Sequence, residues 1–114
     1  MRNINEFWDF PVVDGADFEN ANRIHPLMQK RIQMILNTLI RDKNLKRLIL
    51  FGSSLEFRCS SYSDIDLLAE TYDHEQRLAD IPDVGCDIDI ITNLAHTSRL
   101  YREIDETGLL LFER

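Results

Sequence analysis

The clearest pattern along the chain is a series of apolar residues spaced three and four apart between Ile24 and Ile40. This spacing places the apolar side chains on one face of an α-helix, which packs that face against a core. Pro26 suits the first turn of such a helix, where its missing N–H would have no partner. The pattern therefore predicts a core-packing helix. Its apolar positions are Ile24, Leu27, Met28, Ile32, Ile35, Leu36, Leu39 and Ile40.

Three segments further along have the apolar patterns of β-strands. Residues 48–51 form a continuous apolar run that stops at Gly52, as a buried strand does before a sharp turn. Residues 64–68 and 86–91 instead alternate aspartate with apolar residues, which is typical of half-buried strands. The sequence thus predicts one buried strand and two strands with acidic faces.

Shorter elements are predicted between and after these strands. A helix start over 53–58 would have Ser53 or Ser54 as its N-cap, and the polar segment 71–83 would hold one short helix. A final helix, capped by a polar residue at position 92 or 93, is followed by a strand-like segment at 109–112. The cap candidates are Thr92 and Asn93.

The size and composition of the chain fit one folded domain. Its 114 residues are enough for a single core and too few for two. A hydrophobic fraction of 44% excludes a disordered or fibrous chain. Residues 1–23 show no sustained period, so we expect an N-terminal arm followed by one domain over 24–114. The order of elements predicts an α/β fold of the α+β type, a mixed sheet with helices packed on it.

Charge and targeting signals narrow the function. A net charge of −7 opposes non-specific binding to nucleic acid, which depends on Lys and Arg. Metal ions can still bridge carboxylates to the phosphates of a nucleotide. No apolar run has the length of a signal peptide or a membrane span, which predicts a cytoplasmic protein without membrane association. Cys59 and Cys86 lack metal-finger spacing and are interpreted as free thiols rather than a disulfide or zinc ligands.

Aspartates recur at every second position in the two acidic strands. Asp64 and Asp66 would point the same way from the first strand, and Asp87 and Asp89 from the second. If these strands are neighbours, three or four carboxylates crowd one patch, and such a patch either takes up protons or binds a cation. Oxygen ligands without His or Cys favour Mg²⁺ or Mn²⁺, with a triphosphate as natural co-ligand.

The turn after the buried strand offers a cradle for that triphosphate. Gly52 lets the backbone approach a ligand closely, and the N–H groups of a helix start favour anions. The hydroxyl of Ser53 can add a donor. Because phosphoryl-type transfer requires mostly positioning and charge neutralisation, these parts together favour phosphoryl-type chemistry.

The motif Leu50-Phe51-Gly52-Ser53, followed by Ser63-Asp64-Ile65-Asp66-Leu67-Leu68, resembles the minimal nucleotidyltransferases of the DNA polymerase β superfamily. The resemblance covers residues 48–92 by motif and most of the chain after Ile24 by its order of elements. It implies a polymerase β-like nucleotidyltransferase fold and two divalent ions, Mg²⁺ or Mn²⁺. It also implies transfer of a nucleoside monophosphate, AMP from ATP, to a hydroxyl, with pyrophosphate leaving and no nucleic-acid template.

The resemblance assigns roles to the acidic residues. Asp64 and Asp66 would bind metal. Asp89 aligns best with the third carboxylate, which binds the catalytic metal and helps to deprotonate the acceptor hydroxyl. Asp87 faces the same way in the predicted strand and is the alternative for this third position.

The nucleotide-binding residues follow from the same motif. Gly52, Ser53 and Ser63 would hold the triphosphate. Many family members continue the Gly-Ser motif with a small residue and then Arg-Gly, whereas this chain has Leu55-Glu56-Phe57 there. Either Arg58 takes over the role of that arginine, or triphosphate binding is weakened. The three histidines lie outside the motif and are interpreted as surface or packing residues.

The resemblance also implies a partner. Minimal members of the family often act as antitoxins that bind and modify a helical HEPN-domain ribonuclease toxin. For this chain, both a homodimer and a hetero-oligomer stay open. We therefore expect ATP as the nucleotide and a protein hydroxyl as the acceptor. Two alternatives stay open: a binding module with little catalysis that neutralises a partner by contact, and a transferase acting on a small, aminoglycoside-like molecule.

Overall fold

Residues 10–114 are described by a computed structural model, and the first nine residues, which include Phe7 and Trp8 of the predicted arm, lie outside the described part. Short 3₁₀ turns occupy Ala21–Arg23 and Gly52–Leu55. The helices and strands of the described residues follow in the order α1 (Pro26–Leu39), β1 (Leu45–Phe51), β2 (Ile65–Thr71), β3 (Ile88–Thr92), α2 (Arg99–Thr107) and β4 (Leu109–Glu113).

The four strands form one mixed sheet in the order β3-β2-β1-β4. β1 runs antiparallel to both β2 and β4, whereas β2 and β3 are parallel. The predicted α+β class is therefore observed, and the two acidic strands meet the condition of being neighbours. The fold thus places the two Asp-rich segments side by side at the same end of the sheet.

The main core lies between α1 and one face of the sheet. Most of the apolar stripe that predicted the helix is the face that it buries, but Leu27 and Ile40 are exposed. Each fully buried Leu or Ile contributes about 1.5–3 kcal/mol to stability. Helix α1 begins with Pro26 at its first position, and the Nδ1 atom of His25 accepts a hydrogen bond from the Leu27 backbone N–H at 3.2 Å. The fully buried residues of this core include Met28, Ile32, Ile35, Leu39, Leu48, Leu50, Ile65 and Leu67.

A second, smaller core lies on the opposite face of the sheet. There Ile104 of α2 packs against Ile49 and Leu68. Phe51 and Ile91 are only half-buried at the margin of this cluster. Helix α2 therefore covers the middle of this face, while Phe51 lies at its edge, in the direction of the acidic residues.

The start of α2 differs from the prediction. Its N-cap is Ser98, whose Oγ accepts a hydrogen bond from the Tyr101 N–H at 3.0 Å, and neither Thr92 nor Asn93 caps it. The side chain of Asn93 is engaged elsewhere, because its Oδ1 accepts from the Thr71 N–H and its amide donates to the Thr71 hydroxyl, both at 2.8 Å. The cap prediction was wrong because this asparagine joins β3 to β2 instead.

The short helix predicted within 71–83 is also absent, and turns connect β2 to β3 there. The side chain of Asn44 replaces the helical hydrogen bonds. Its amide donates to the carbonyls of Asp73 and Gln76 at 3.0 Å each, and its Oδ1 accepts from the Asp73 N–H at 2.8 Å. A buried side chain from before β1 thus fixes this connection in a non-helical path.

The described part of the N-terminal arm is fastened to α1. Gln29 is fully buried, yet all its polar atoms are satisfied: it accepts from the Val13 N–H and donates to the carbonyls of Pro11 and Ile24, at 2.8 to 2.9 Å. Because a buried amide needs such partners, Gln29 ties the arm to the domain. Neither helix between residues 10 and 114 is both long enough and apolar enough to cross a membrane.

Candidate functional site

A row of three side chains crosses the sheet where β1 ends and β2 and β3 begin. Phe51 is the Cα partner of Asp66, and Asp66 is the Cα partner of Asp89. Neighbouring strands lie about 4.8 Å apart, and partners in register point to the same face. Asp64 comes two residues before Asp66, immediately ahead of β2. The structure therefore brings together the three predicted carboxylates.

The charges of this cluster act on one another. The pKa of the half-buried Asp66 carboxyl is raised, first by burial and then by the negative charges of Asp89 and Asp64. Among residues 10–114, no Lys, Arg or His forms an ion pair with any of the three. The cluster therefore carries uncompensated negative charge, which a cation would relieve.

Gly52 lies directly against the Asp66 carboxylate. Its φ of +83° belongs to the left-handed region that favours glycine. A Cβ at this position would overlap Asp66 Oδ2, with the carboxyl carbon at 3.4 Å. The glycine is thus required both by the turn and by the close approach of the turn to the carboxylate.

The two serines after Gly52 have different surroundings. Ser53 is half-exposed at the site. Ser54 is fully buried, and its hydroxyl has no hydrogen-bond partner in the described structure. Neither serine caps a helix, because the segment forms a single 3₁₀ turn, Gly52–Leu55, that begins after Phe51 without a side-chain cap. The prediction of a helix start over 53–58 was therefore wrong in its extent and its cap.

Two predicted nucleotide-binding residues lie in the segment that leads to Asp64. Ser63 accepts a hydrogen bond through its Oγ from the Ser60 N–H at 3.0 Å, which closes a turn. The side chain of Arg58 is 80% exposed and pairs with Glu56 at 3.0 Å. The structure therefore joins Arg58 to a neighbouring carboxylate and not to the aspartate cluster.

Asp87, the alternative third carboxylate, lies just before β3. Its carbonyl accepts a hydrogen bond from the Ile65 N–H at 3.0 Å, which continues the parallel pairing. Its side chain is exposed and is not among the charges that shift the pKa of Asp66. The geometry thus favours Asp89 as the neighbour of Asp66.

The donor chemistry of the cluster fits a hard divalent cation. In the part of the chain that the structure describes, no group of three His, Cys, Asp or Glu side chains is arranged to enclose a metal ion as it stands. Mg²⁺, however, takes one or two carboxylates and completes its shell with water and phosphate oxygens. The unpaired carboxylates of Asp64, Asp66 and Asp89 could supply such ligands.

A second polar cluster occupies the other end of the same sheet face, and the sequence analysis missed it. The Arg47 guanidinium contacts Glu70 at 3.2 Å, the Tyr101 hydroxyl at 2.8 Å, and Asp105 and Glu113 at 3.3 Å each. These residues come from β1, β2, α2 and β4. Arg47 therefore fastens α2 to three strands. Because these residues are far apart in the sequence, no local spacing predicts the cluster.

His96 joins this cluster from the connection between β3 and α2. Its Nε2 pairs with Glu70, and its ring stacks on Tyr101 with the ring centroids 4.1 Å apart. Although His96 is exposed, as predicted, it has a defined partner. Burial alone would raise the pKa of Glu70, but hydrogen bonds from His96 and Arg47 outweigh burial and lower it.

A cavity beside β3 lies away from the aspartate cluster. It has a volume of about 600 Å³ and is formed by β3 and by residues 74–81 of the connection from β2. Its lining includes Ile88 and Ile90, which belong to the α1 side of the sheet, but not Asp64, Asp66 or Asp89. The carboxylates instead lie on the α2 side, at the sheet end.

Taken as a class, the molecule is a small α+β protein with a four-stranded mixed sheet and two helices. In comparisons with known proteins, no family model, curated protein or solved structure matches this chain. The geometry of the site is therefore the basis for any functional proposal.

Proposed function

We propose that this protein is a minimal nucleotidyltransferase of the DNA polymerase β superfamily, with that superfamily's fold, and that it acts in the cytoplasm. In the proposed reaction it uses Mg²⁺ and transfers AMP from ATP to a hydroxyl group. The observation that carries the proposal is the arrangement of Gly52, Asp66 and Asp89. A glycine turn lies against one carboxylate, and a second carboxylate stands beside it in register. The sheet thus brings Gly52, Asp66 and Asp89, which are far apart in the sequence, next to one another.

Each residue has a distinct task in the proposed reaction. Gly52 and Ser53 approach the triphosphate with backbone N–H groups and the serine hydroxyl. Asp64 and Asp66 would hold Mg²⁺, and Asp89 would take the proton of the acceptor hydroxyl. The acceptor oxygen forms a bond to the α-phosphorus, the bond to the bridging oxygen breaks, and pyrophosphate leaves. Bound Mg²⁺ supplies charge neutralisation on the phosphates.

Arg58 has no part in this proposal. Its pairing with Glu56 leaves the negative charge of the triphosphate to Mg²⁺ and the N–H groups of the turn. This arrangement is consistent with weak binding of ATP in the absence of metal and much tighter binding in its presence.

The proposed acceptor is a hydroxyl on a partner protein, of which a HEPN-type ribonuclease toxin is the example that the family resemblance implies. Asp64 and Asp89 are both exposed, so the carboxylates are open to a large acceptor. Asp64, Asp66 and Asp89 do not line either of the two cavities described beside β3. The exposure of Asp64 and Asp89 therefore supports a macromolecular acceptor.

The test is incubation of the purified protein with Mg²⁺ and labelled ATP, with and without the product of its genomic neighbour. We expect wild type and Asp87→Asn to transfer label, and Asp89→Asn and the double variant Asp64→Ala/Asp66→Ala to lose transfer. Asp87→Asn is the matched control, because it removes an exposed carboxylate two residues from Asp89. Calorimetry of Mg²⁺-ATP binding to each variant accompanies the assay. Absence of both transfer and binding in the wild type would refute the proposal.

A second candidate function is a binding module with this fold and little catalysis. The Arg58–Glu56 pair favours it, because the arginine predicted to contact the triphosphate is paired with a carboxylate instead. Binding of Mg²⁺-ATP without any transfer to the partner, combined with tight association with that partner, would identify this function instead.

A further inference from the structure

The two cysteines of the chain pack against the same core. Cys59 is buried on the α1 side of the sheet, and the half-buried Cys86 packs against the same cluster of side chains. Both thiols are free. Cys59 lies in the segment that leads into β2, and Cys86 lies in the segment that leads into β3. The question is therefore how close these two segments come.

The parallel pairing of β2 and β3 extends backwards into these segments. Ile65 is the Cα partner of Ile88, and its N–H donates to the Asp87 carbonyl at 3.0 Å. Continued by two further residues on each strand, this register would bring Ser63 opposite Cys86. The chain preceding β2 is thus directed along the residue that carries the second thiol.

A tight turn then returns Cys59 towards Ser63. The Ser63 N–H donates to the Ser60 carbonyl at 3.1 Å, and the Ser60 N–H donates to the Ser63 Oγ at 3.0 Å. Cys59 immediately precedes this turn. Because the extended register aligns Ser63 with Cys86, the turn brings the two thiols into one neighbourhood.

The side chain of Arg31, on α1, lies close to both of these segments. Its Nη1 donates to the Ser61 carbonyl at 3.2 Å, and its Nη2 lies 3.7 Å from the Cβ position at Gly85. Ser61 is two residues from Cys59, and Gly85 is adjacent to Cys86. One guanidinium group therefore touches both cysteine-bearing segments.

The electrostatics agree with this placement. Burial raises the pKa of the Cys59 thiol, the nearby Ser63 and Arg31 lower it, and the charge of Cys86 raises it further. The buried Cys59 is the less reactive thiol, so the more exposed Cys86 is the one that an oxidant reaches first.

We propose that Cys59 and Cys86 form a reversible disulfide when the protein meets a peroxide. The Cys86 thiolate attacks hydrogen peroxide, which breaks the O–O bond, gives a sulfenic acid and releases water once a proton is added. The Cys59 sulfur then attacks the sulfenic sulfur, and a second water leaves. In total the two thiols lose two electrons and two protons, and one peroxide becomes two waters.

The bond would lie on the α1 side of the sheet, between the two segments that lead to the aspartates of the cluster. Cys59 is five residues before Asp64, and Cys86 is three residues before Asp89. A cross-link there fixes the two segments that carry these carboxylates into the site. Any effect on nucleotide transfer rests on the proposed function, whereas formation of the bond and its effect on stability do not.

The experiment treats the reduced, full-length protein with one equivalent of hydrogen peroxide and follows the intact mass and the non-reducing peptide map. We expect the loss of two hydrogens, a Cys59–Cys86 linked peptide, and a higher melting temperature that dithiothreitol reverses. In urea the same treatment should give the linked peptide much more slowly, since the native neighbourhood is gone.

Single variants provide the controls. Cys59→Ser should leave a sulfenic acid at Cys86 that dimedone traps, and Cys86→Ser should react slowly with peroxide at the buried Cys59. The proposal is overturned if wild type instead gains oxygen at Cys86 or forms only dimers between chains. It is also overturned if the linked peptide forms equally fast in urea. Mg²⁺-ATP transfer is assayed separately, so a failure of the proposed function stays distinct from a failure of the disulfide.

Discussion

Asp66 and Glu70 lie on the same face of β2, four residues apart, and their carboxyl pKa values are displaced in opposite directions. That of Asp66 is raised by burial and by the aspartates beside it, whereas that of Glu70 is lowered by hydrogen bonds from His96 and Arg47. The two carboxyls stand roughly 13 Å apart along the strand. At one end of this face, the Glu70 carboxylate is paired with Arg47 and His96. At the other end, the carboxylate of Asp66 and the aspartates beside it are unpaired within the described residues, and their negative charge favours binding of a cation.

Replacing Asp66 by asparagine should stabilise the metal-free protein at neutral pH. Because its folded-state pKa is raised above the ordinary value of 3.8, folding favours the protonated carboxyl, and the free energy of unfolding falls as pH rises through the raised pKa. Asp66→Asn removes this fall and one cross-strand repulsion, for a gain of about 0.5 kcal/mol. Urea unfolding across a pH series measures both effects. Asp87→Asn is the control and should change neither, and a loss of stability in Asp66→Asn would contradict the interpretation.

Replacing Arg47 by leucine should destabilise the fold strongly. The side chain of Glu70 is only 13% exposed, so losing Arg47 leaves a poorly solvated carboxylate with one partner fewer, at a cost of about 2 kcal/mol. The control is Arg77→Leu, which removes a 92% exposed guanidinium at 4.0 Å from Asp80 and should cost less than about 0.5 kcal/mol. Denaturation in urea compares the two, and equal effects would show that Arg47 is no more than a surface charge.

Replacing Gly52 by alanine should damage both the turn and the carboxylate against it. The positive φ alone costs about 1 kcal/mol, and the new Cβ must displace the Asp66 carboxyl group. The matched control is Gly15→Ala, since Gly15 has a φ of +88° but only Lys30 Cε nearby, at 3.8 Å. Gly52→Ala should lose at least as much stability as Gly15→Ala, and only Gly52→Ala should lose Mg²⁺-ATP binding by calorimetry. If Gly52→Ala bound Mg²⁺-ATP as tightly as the wild type, the turn at Gly52 would not be part of the nucleotide site.

The two adjacent serines should respond to alanine in opposite ways. Ser54→Ala removes a buried hydroxyl without a partner and should be neutral or stabilising by up to about 1 kcal/mol. Ser53→Ala should leave stability unchanged and weaken nucleotide binding. Melting temperatures and calorimetry on both variants check this pair of outcomes, which would be wrong if Ser54→Ala destabilised the protein or Ser53→Ala bound Mg²⁺-ATP normally.

Local periodicity was sufficient to predict α1, β1 and the acidic faces of β2 and β3. Each depends on side-chain spacing within a single element, and the burial of one face follows from that spacing. The meeting of Asp66 with Asp89 depends on the parallel register of two strands, which no single segment encodes. From the sequence alone, this meeting could be expected only on the condition that the two strands are neighbours.

The errors also have identifiable physical causes. No helix forms within 71–83 because Asn44, far away in sequence, takes the backbone groups that a helix would use. Asn93 does not cap α2 because Thr71 occupies its side chain. The Arg47 cluster was missed because its members come from four elements. In each case a long-range side-chain contact determines the outcome. Such contacts produce no periodic pattern of apolar and polar residues in the sequence.

Strand β3 is paired on one side only within the described structure, since β2 is its sole neighbour. Its outward-facing amide groups have no strand opposite them, so this strand can separate from the sheet by local opening without unfolding the pairs that β1 makes. Asp89 moves with β3. Loss of the third carboxylate is therefore a subglobal event, and amide hydrogen exchange along residues 88–92 should be faster than along the central strands.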